Sequence, residues 1–367
     1  MNLFLKHIDL LGFKNLAEIS LDFSSKINCF AGNNGAGKTN LIDAIYYLSF
    51  CKSYFNNTDH ENIRHGDNLF LINGIYERNE TTENIFCGVK KDDKKQFKRN
   101  KKEYHRFSDH IGLLPLVIVS PYDANLISEG SEERRKFING VISQYDKTYL
   151  NDVISYNRIL KQRNALLKEF TRKNKIDKET LEIYDDKLTQ LGNPIYSKRK
   201  EFIEKLTPVF EGFYRHISGG NEVIELSYRS QLENEDFRNI LNKSFEHDNI
   251  VQYTTCGIHK DDLVFKIDGF PVRTNGSQGQ QKSFLLSLKL AQFDFIKEKN
   301  DFTPLLLLDD IFDKLDNTRV SLLMKLVGEQ HFGQIFISDT DKNRIKKVLE
   351  PVNSEYSIFN LEMGAIK

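Results

Sequence analysis

The stretch Gly32-Asn33-Asn34-Gly35-Ala36-Gly37-Lys38-Thr39 decides the reading of this chain. It fits the spacing GxxxxGK[ST], which is informative only between a strand and a helix. Both flanks comply. The apolar run Ile27-Asn28-Cys29-Phe30 leads in as a strand, and Leu41, Ile42, Ala44, Ile45 and Leu48 lead out at helical spacing. Glycines let successive backbone N–H groups turn inward as an anion-binding nest, and the helix N-terminus adds its partial positive charge. In such a loop Lys38 reaches the β- and γ-phosphates of ATP, and the Thr39 hydroxyl ligates Mg²⁺. Asn40 closes the candidate binding segment.

A second feature lies roughly 270 residues further on. The apolar strand Leu305-Leu306-Leu307-Leu308 ends at Asp309-Asp310. A carboxylate at such a strand end falls beside the Mg²⁺ shell, which gives Asp309 a metal-ligand role, directly or through water. Asp310 is then placed to orient or deprotonate the attacking water, so Lys38 and Asp310 are the candidate catalytic residues. Another apolar strand, Gln334-Ile335-Phe336-Ile337, follows after about 25 residues, the distance of a crossover helix between parallel strands. The third feature, Gly276-Ser277-Gln278-Gly279-Gln280-Gln281, opens a helix expected over 282–297. Ser277, Gln278, Gly279 and Gln280 there form a second phosphate-binding helix start, or more plainly a capped turn.

Composition narrows the setting. With 52 basic and 52 acidic residues, the net charge predicts no nucleic-acid affinity, and any such binding must come from a local patch. The cysteines Cys29, Cys51, Cys87 and Cys256 are far apart and form no CxxC, which excludes the common zinc spacings and fits reduced thiols. Lys6, His7 and Asp9 interrupt the apolar N-terminus, making it a poor signal peptide, and no apolar run approaches membrane-spanning length. A soluble cytoplasmic protein without membrane partners is expected.

Strand patterns dominate about 68–120. Between about 146 and 217 two apolar series recur at helical spacing around the polar stretch Arg172-Lys173-Asn174-Lys175. They predict a pair of long antiparallel helices, the second kinked or interrupted at Pro194 and Pro208. Strands return at Val223–Tyr228 and Leu263–Ile267. The expected organisation is a split nucleotide-binding lobe over 1–145 and 255–367, with a helical lobe over 146–254 inserted between. Lys90 to Lys102 carries eight Lys or Arg against two Asp, and reads either as a solvated hairpin tip or as a phosphate-contacting ridge.

In order, phosphate loop, SGGQ-like signature and acidic strand end resemble the ATP-binding-cassette ATPases. The long interval between the first and last of them, filled by helices, resembles SMC-type heads. The match sharpens in GFKNLAEISLDFSSKINCFAGNNGAGKTNLIDAIYYLSFCKS, SPYDANLISEGSEERRKFIN, GIHKDDLVFKIDG, GSQGQQK and LLLLDDIFDKLD, which are similar to the RecF recombination-mediator family over nearly the whole chain. This resemblance implies an α/β, P-loop ABC/SMC-type ATPase head with an inserted helical lobe and no long coiled coil. It implies weak ATPase activity and an ATP-dependent homodimer in which Ser277 and Gly279 meet the γ-phosphate held by the partner's loop. Asp316 corresponds to the family's D-loop, near that interface. DNA, double-stranded and gapped, is the implied substrate, with RecR, RecO and RecA as partners in DNA replication, recombination, repair and the SOS response. Arg134-Arg135 matches the family's ERR motif, and is either a DNA contact or a structural pair.

Three departures stand out. ABC ATPases usually carry Glu where this chain has Asp310, one methylene shorter, so slow turnover is expected. No glutamine occurs near Ser120-Pro121-Tyr122-Asp123, where a Q-loop belongs. Ser338-Asp339 replaces the switch histidine after Ile335–Ile337, and His331 precedes that strand. The alternative reading is another SMC-type repair ATPase head, which calls for a long coiled coil or a CxxC hook. A transporter ATPase subunit calls for the missing glutamine and histidine, and a kinase leaves Ser277–Gln281 unexplained.

Overall fold

In the computed structural model, which describes residues 3–173, 175, 177–220, 222–312, 317–328, 331–350, 352 and 355–366, the loop-bearing segment Ile27–Ala31 is a fully buried strand. It lies inside a six-stranded sheet ordered Ala365–Ile366, Tyr356–Glu362, Ile27–Ala31, Ile335–Asp339, Leu305–Asp309, Leu116–Val119. All neighbours in it are parallel except the terminal hairpin pair. Such strands are buried on both faces, which is why they read as continuous apolar runs such as Leu305–Leu308. The helix Lys38–Phe50 follows the loop and touches strands of this sheet and of a second, antiparallel one. That position between two sheets explains why it is apolar almost all round. The antiparallel sheet orders Leu16–Asp22, Leu3–Phe13, Leu69–Arg78, Thr81–Lys90, Gln96–Arg99 and Lys102–Glu103.

These elements form one compact unit, Met1–Ala124 with Phe213–Gly220 and Lys282–Lys367. Asn125–Gly212 with Asn221–Gln281 forms a second. The divisions at 124/125 and 281/282 lie outside the expected 145/146 and 254/255, so the helix Ser131–Ile142 and the strand Asp262–Ile267 group with the helical unit. Their contacts account for this. Arg134 pairs with Asp262 at 2.6 Å, and Arg135 donates to the Asp261 carbonyl at 2.7 Å, tying that helix to that strand. Arg134 through all three guanidinium nitrogens, and Arg135 through Nη1, are therefore engaged within this unit.

The two long helices are Lys147–Lys173 and Lys178–Ser218. The second runs on through Pro194 and Pro208 without interruption. Each proline removes one backbone donor, but burial of Leu188, Ile195, Phe202, Leu206 and Phe210 along the same face outweighs that loss. Where the helices face each other the core is charged. Arg163, fully buried, donates from Nε to Asp185 at 2.6 Å and from Nη1 to Asp248 at 2.8 Å and Thr254 at 2.9 Å. A second buried arginine, Arg199, holds the Ile258 carbonyl at 2.7 Å and Asp261 at 3.1 Å. Asp236 caps the helix Phe237–Val251, accepting from the Arg238 amide.

His259 belongs to the same core. Its Nε2–H donates to the Thr254 carbonyl at 3.0 Å, so Nδ1 accepts from the Tyr156 hydroxyl at 2.9 Å. Burial pushes its pKa down to about 4 from an ordinary 6.5. The imidazole is neutral in the folded unit, while the unfolded chain takes up a proton below 6.5. The stability it contributes is complete above that value and falls toward pH 4, by on the order of 3 kcal/mol. His259→Asn should flatten this part of the profile, so that urea midpoints at about pH 7.5 and pH 5 differ less than in the parent. An undiminished acid loss in the variant would clear the histidine of the effect.

Among the described residues no helix is long and apolar enough to cross a membrane.

Candidate functional site

The loop leaves its strand at Gly32 and enters the helix at Lys38. Gly37 shows why glycine is needed there: its φ is +107°, and a Cβ would stand 2.5 Å from Leu16 Cδ2. Asn15, in the turn after Leu3–Phe13, holds the loop from outside. Its side-chain amide donates to the Gly35 carbonyl at 2.7 Å and its oxygen accepts from Asn40 at 2.7 Å. Lys38 is only 6% exposed. Its ammonium folds back on the loop, donating to the carbonyls of Gly32 at 2.7 Å and Asn33 at 3.1 Å.

The acidic strand end closes on this loop. Thr39 Oγ1 donates to Asp309 Oδ1 at 3.0 Å, across 270 residues of sequence. The parallel register puts Asp309 opposite Ser338, and Ser338 Oγ donates to the same Asp309 oxygen at 2.7 Å. Ser338 Oγ also accepts from the Asp310 amide at 2.9 Å, beside a left-handed Asp310 backbone with φ +48°. Burial pushes the Asp309 carboxyl pKa up, and the bonds from Ser338 and Thr39 oppose that rise. Asp310 Oδ1 is buried and has no hydrogen-bond partner among the described residues. An orphan carboxylate oxygen in a native site calls for an explanation.

A cavity of about 200 Å³ lies over the loop, lined by Asn15, Asn34, Gly35, Gly37, Lys38, Thr39, Asn40 and Asp310. That is below the volume of a complete small-molecule pocket and suits a chain of phosphates with the rest of the ligand outside. Its donors are the loop amides, the Lys38 ammonium and the Thr39 hydroxyl. Asp310 is the acidic residue that lines it, and Asp309 stands behind Thr39 through the Thr39 hydroxyl.

Ser277, Gln278, Gly279 and Gln280 belong to the other compact unit. The helix there begins at Gln278, four residues before its expected start, so the motif forms its first turn. Ser277 Oγ accepts from the Gln280 amide at 3.2 Å and Gln280 Oε1 from the Ser277 amide at 2.7 Å, a reciprocal capping box. Glu222 fixes the free end of Gln280 at 2.8 Å. Asp316 lies outside the described residues.

Two places differ from the cassette pattern in an instructive way. Asp123, where a Q-loop glutamine would be sought, is buried, paired with Lys289 at 2.7 Å and bonded by the Tyr54 hydroxyl at 2.6 Å. Ser338 stands where the switch histidine would, and bridges both aspartates. In sequence Ser338 shows only as the residue just past an apolar strand, and the parallel register with Asp309 is what brings it to the site. In the basic stretch, Lys95 turns inward to Asp59 at 2.8 Å and Arg99 pairs with Glu83, whereas Lys94, Lys101 and Lys102 are exposed.

Residues 4–366 match the RecF/RecN/SMC N terminal domain family. The chain is 50% identical over 357 residues to the DNA replication and repair protein RecF of Flavobacterium johnsoniae, covering 97% of this chain and 99% of that protein. The chain belongs to the RecF family. Two solved structures of the RecF recombination mediator in the RecFOR pathway, one with ATP and one with ATPrS, superpose with a TM-score of 0.89 each. They are 30% and 31% identical, cover all of this chain, and are themselves covered to 99% and 98%. The RecF resemblance expected from the motifs and the SMC-type ATPase head fold both hold.

Proposed function

We propose that this chain is an ATP-dependent, DNA-binding recombination mediator of DNA replication and repair, working in the cytoplasm as an ATP-induced homodimer. The observation that carries the reading is the hydrogen-bonded chain Thr39–Asp309–Ser338–Asp310, whose two ends line the cavity over the phosphate loop, supported by the ATP and ATPrS named in the two solved relatives. Gly32 through Asn40 cradle the phosphates, and Lys38 swings from the loop carbonyls to the β- and γ-phosphates. Thr39 Oγ1 and Asp309 Oδ1 present the all-oxygen donors that suit Mg²⁺. When bound there, that ion neutralises charge building up on the transferring phosphoryl group.

Asp310 Oδ1 holds the attacking water and accepts its proton as the water oxygen bonds to the γ-phosphorus and the bond to the bridging oxygen breaks, giving ADP and phosphate. The short aspartate arm makes turnover slow. Ser277 and Gly279 of one copy complete the ATP site of the other, so a nucleotide that binds only the dimer favours the dimer. Closed on double-stranded or gapped DNA, the dimer acts with RecR and RecO to load RecA, and hydrolysis releases it.

The test measures dimerisation and gapped-DNA binding with and without ATP. ATP should drive both in the parent chain, and Ser277→Arg, placing a bulky cation at the signature, should abolish the dimer. Asp310→Asn should keep the dimer and slow its release by about a hundredfold, the usual scale of a lost general base. ATP-independent DNA binding that survives Ser277→Arg would overturn the clamp, and undiminished turnover in Asp310→Asn would remove that residue from the base role.

A further inference from the structure

The hairpin formed by Tyr356–Glu362 and Ala365–Ile366 meets the phosphate loop through its backbone. Its first strand pairs in parallel with the loop-bearing strand, Asn360 opposite Ala31. Leu361 pairs with Ile366 and Glu362 with Ala365, so the turn is Met363-Gly364, with φ +48° and +80°. Positive φ at both positions is the type I′ turn that a two-residue hairpin favours. The Gly364 amide donates to the Ala36 carbonyl of the phosphate loop at 3.1 Å. A Cβ on Gly364 would stand 2.3 Å from the Asn15 carbonyl oxygen, and one on Gly32 would stand 2.3 Å from that of Leu361. Asn15 itself bonds Gly35 and Asn40. The loop is thus held between two turns, by the Asn15 side chain of Lys14-Asn15 and by the backbone of Met363-Gly364, and the two turns touch each other backbone to backbone. Met363 is 99% exposed, so its side chain contributes no packing to this arrangement.

We infer that the Met363-Gly364 turn is a positioning element of the nucleotide site, holding Gly32 and Ala36 so that the loop amides face the phosphates. A loop ordered before the ligand arrives does not have to be ordered by it, which raises affinity without any added ligand contact. This role presupposes the nucleotide site proposed above.

Affinities for ATP and ADP, read with a fluorescent nucleotide well below the melting temperature, test it alongside nucleotide-free melting curves. Gly364→Val, which drives a side chain into the Asn15 carbonyl, should weaken both nucleotides by about tenfold. Removal of residues 364–367 should do the same, and guards against a valine variant that fails to fold. Parental affinity in both the valine and the truncated forms, whatever their melting temperatures, would overturn the positioning role. A parent chain that binds neither nucleotide would instead overturn the nucleotide site itself.

Discussion

Lys38→Met should leave the chain folded and remove most of its stabilisation by ATP. Lys38 is nearly buried, lines the cavity over the loop and rests its ammonium on the Gly32 and Asn33 carbonyls, within reach of phosphates seated there. Methionine fills similar space without a charge or a donor. The phosphates then lose a charge-assisted hydrogen bond of about 1.5–3 kcal/mol, together with a neutralising cation. An affinity loss of about a hundredfold follows at the upper end of that range. At an ATP concentration about 100 times the parental Kd, the parent gains about 2.7 kcal/mol and the variant about 0.4 kcal/mol. Thermal melts with and without ATP report this directly. A variant whose melting point rises with ATP as far as the parent's would remove Lys38 from the phosphate site.

The second large effect lies in the buried core of the helical unit. Arg163→Ala should destabilise the helical unit by about 3–5 kcal/mol, since it leaves Asp185 and Asp248 buried without their cation. Burial already pushes the Asp185 carboxyl pKa up against the pull of Arg163, which marks the site as costly for charge even when it is paired. Replacing all three together, as Arg163→Met with Asp185→Asn and Asp248→Asn, should recover much of the loss, because no buried charge remains. Urea unfolding of the two variants separates the cases. If the triple variant is no more stable than Arg163→Ala, lost packing of the arginine stem is the cause, and the stranded carboxylates are not.

The nucleotide side of the molecule was legible because its chemistry is written in contiguous strings. The loop, the acidic strand end and the Ser277–Gln280 turn each occupy one short run, so the local form of each, a strand-loop-helix, a buried strand end and a capped helix start, could be read from neighbouring residues. What escaped reading is held together across long separations. Arg163 falls among polar positions on a helix whose apolar spacing marks the core, so nothing local says that it points inward to Asp185 and Asp248. Pro194 and Pro208 predicted a kink or an interruption, and the helix continues through both along a buried face. Asn15 and Ser338 reach the site only through strand register, Asn15 from the first turn and Ser338 from a strand about 300 residues beyond the loop. The terminal turn at Met363-Gly364 shows in sequence as one glycine near the end of an unremarkable strand pattern.

The strand order carries a consequence for how the protein comes into being. Ile27–Ala31, which bears the phosphate loop, is flanked in its sheet by Ile335–Asp339 and Tyr356–Glu362. A ribosome adding about 5–20 residues per second needs tens of seconds to deliver those neighbours after the loop has emerged. Until then the loop strand has no parallel partner and Thr39 has no Asp309. On the proposed reading, a nascent chain that has not yet delivered Tyr356–Glu362 holds an incomplete nucleotide site, and ATP binding reports that these neighbours have docked.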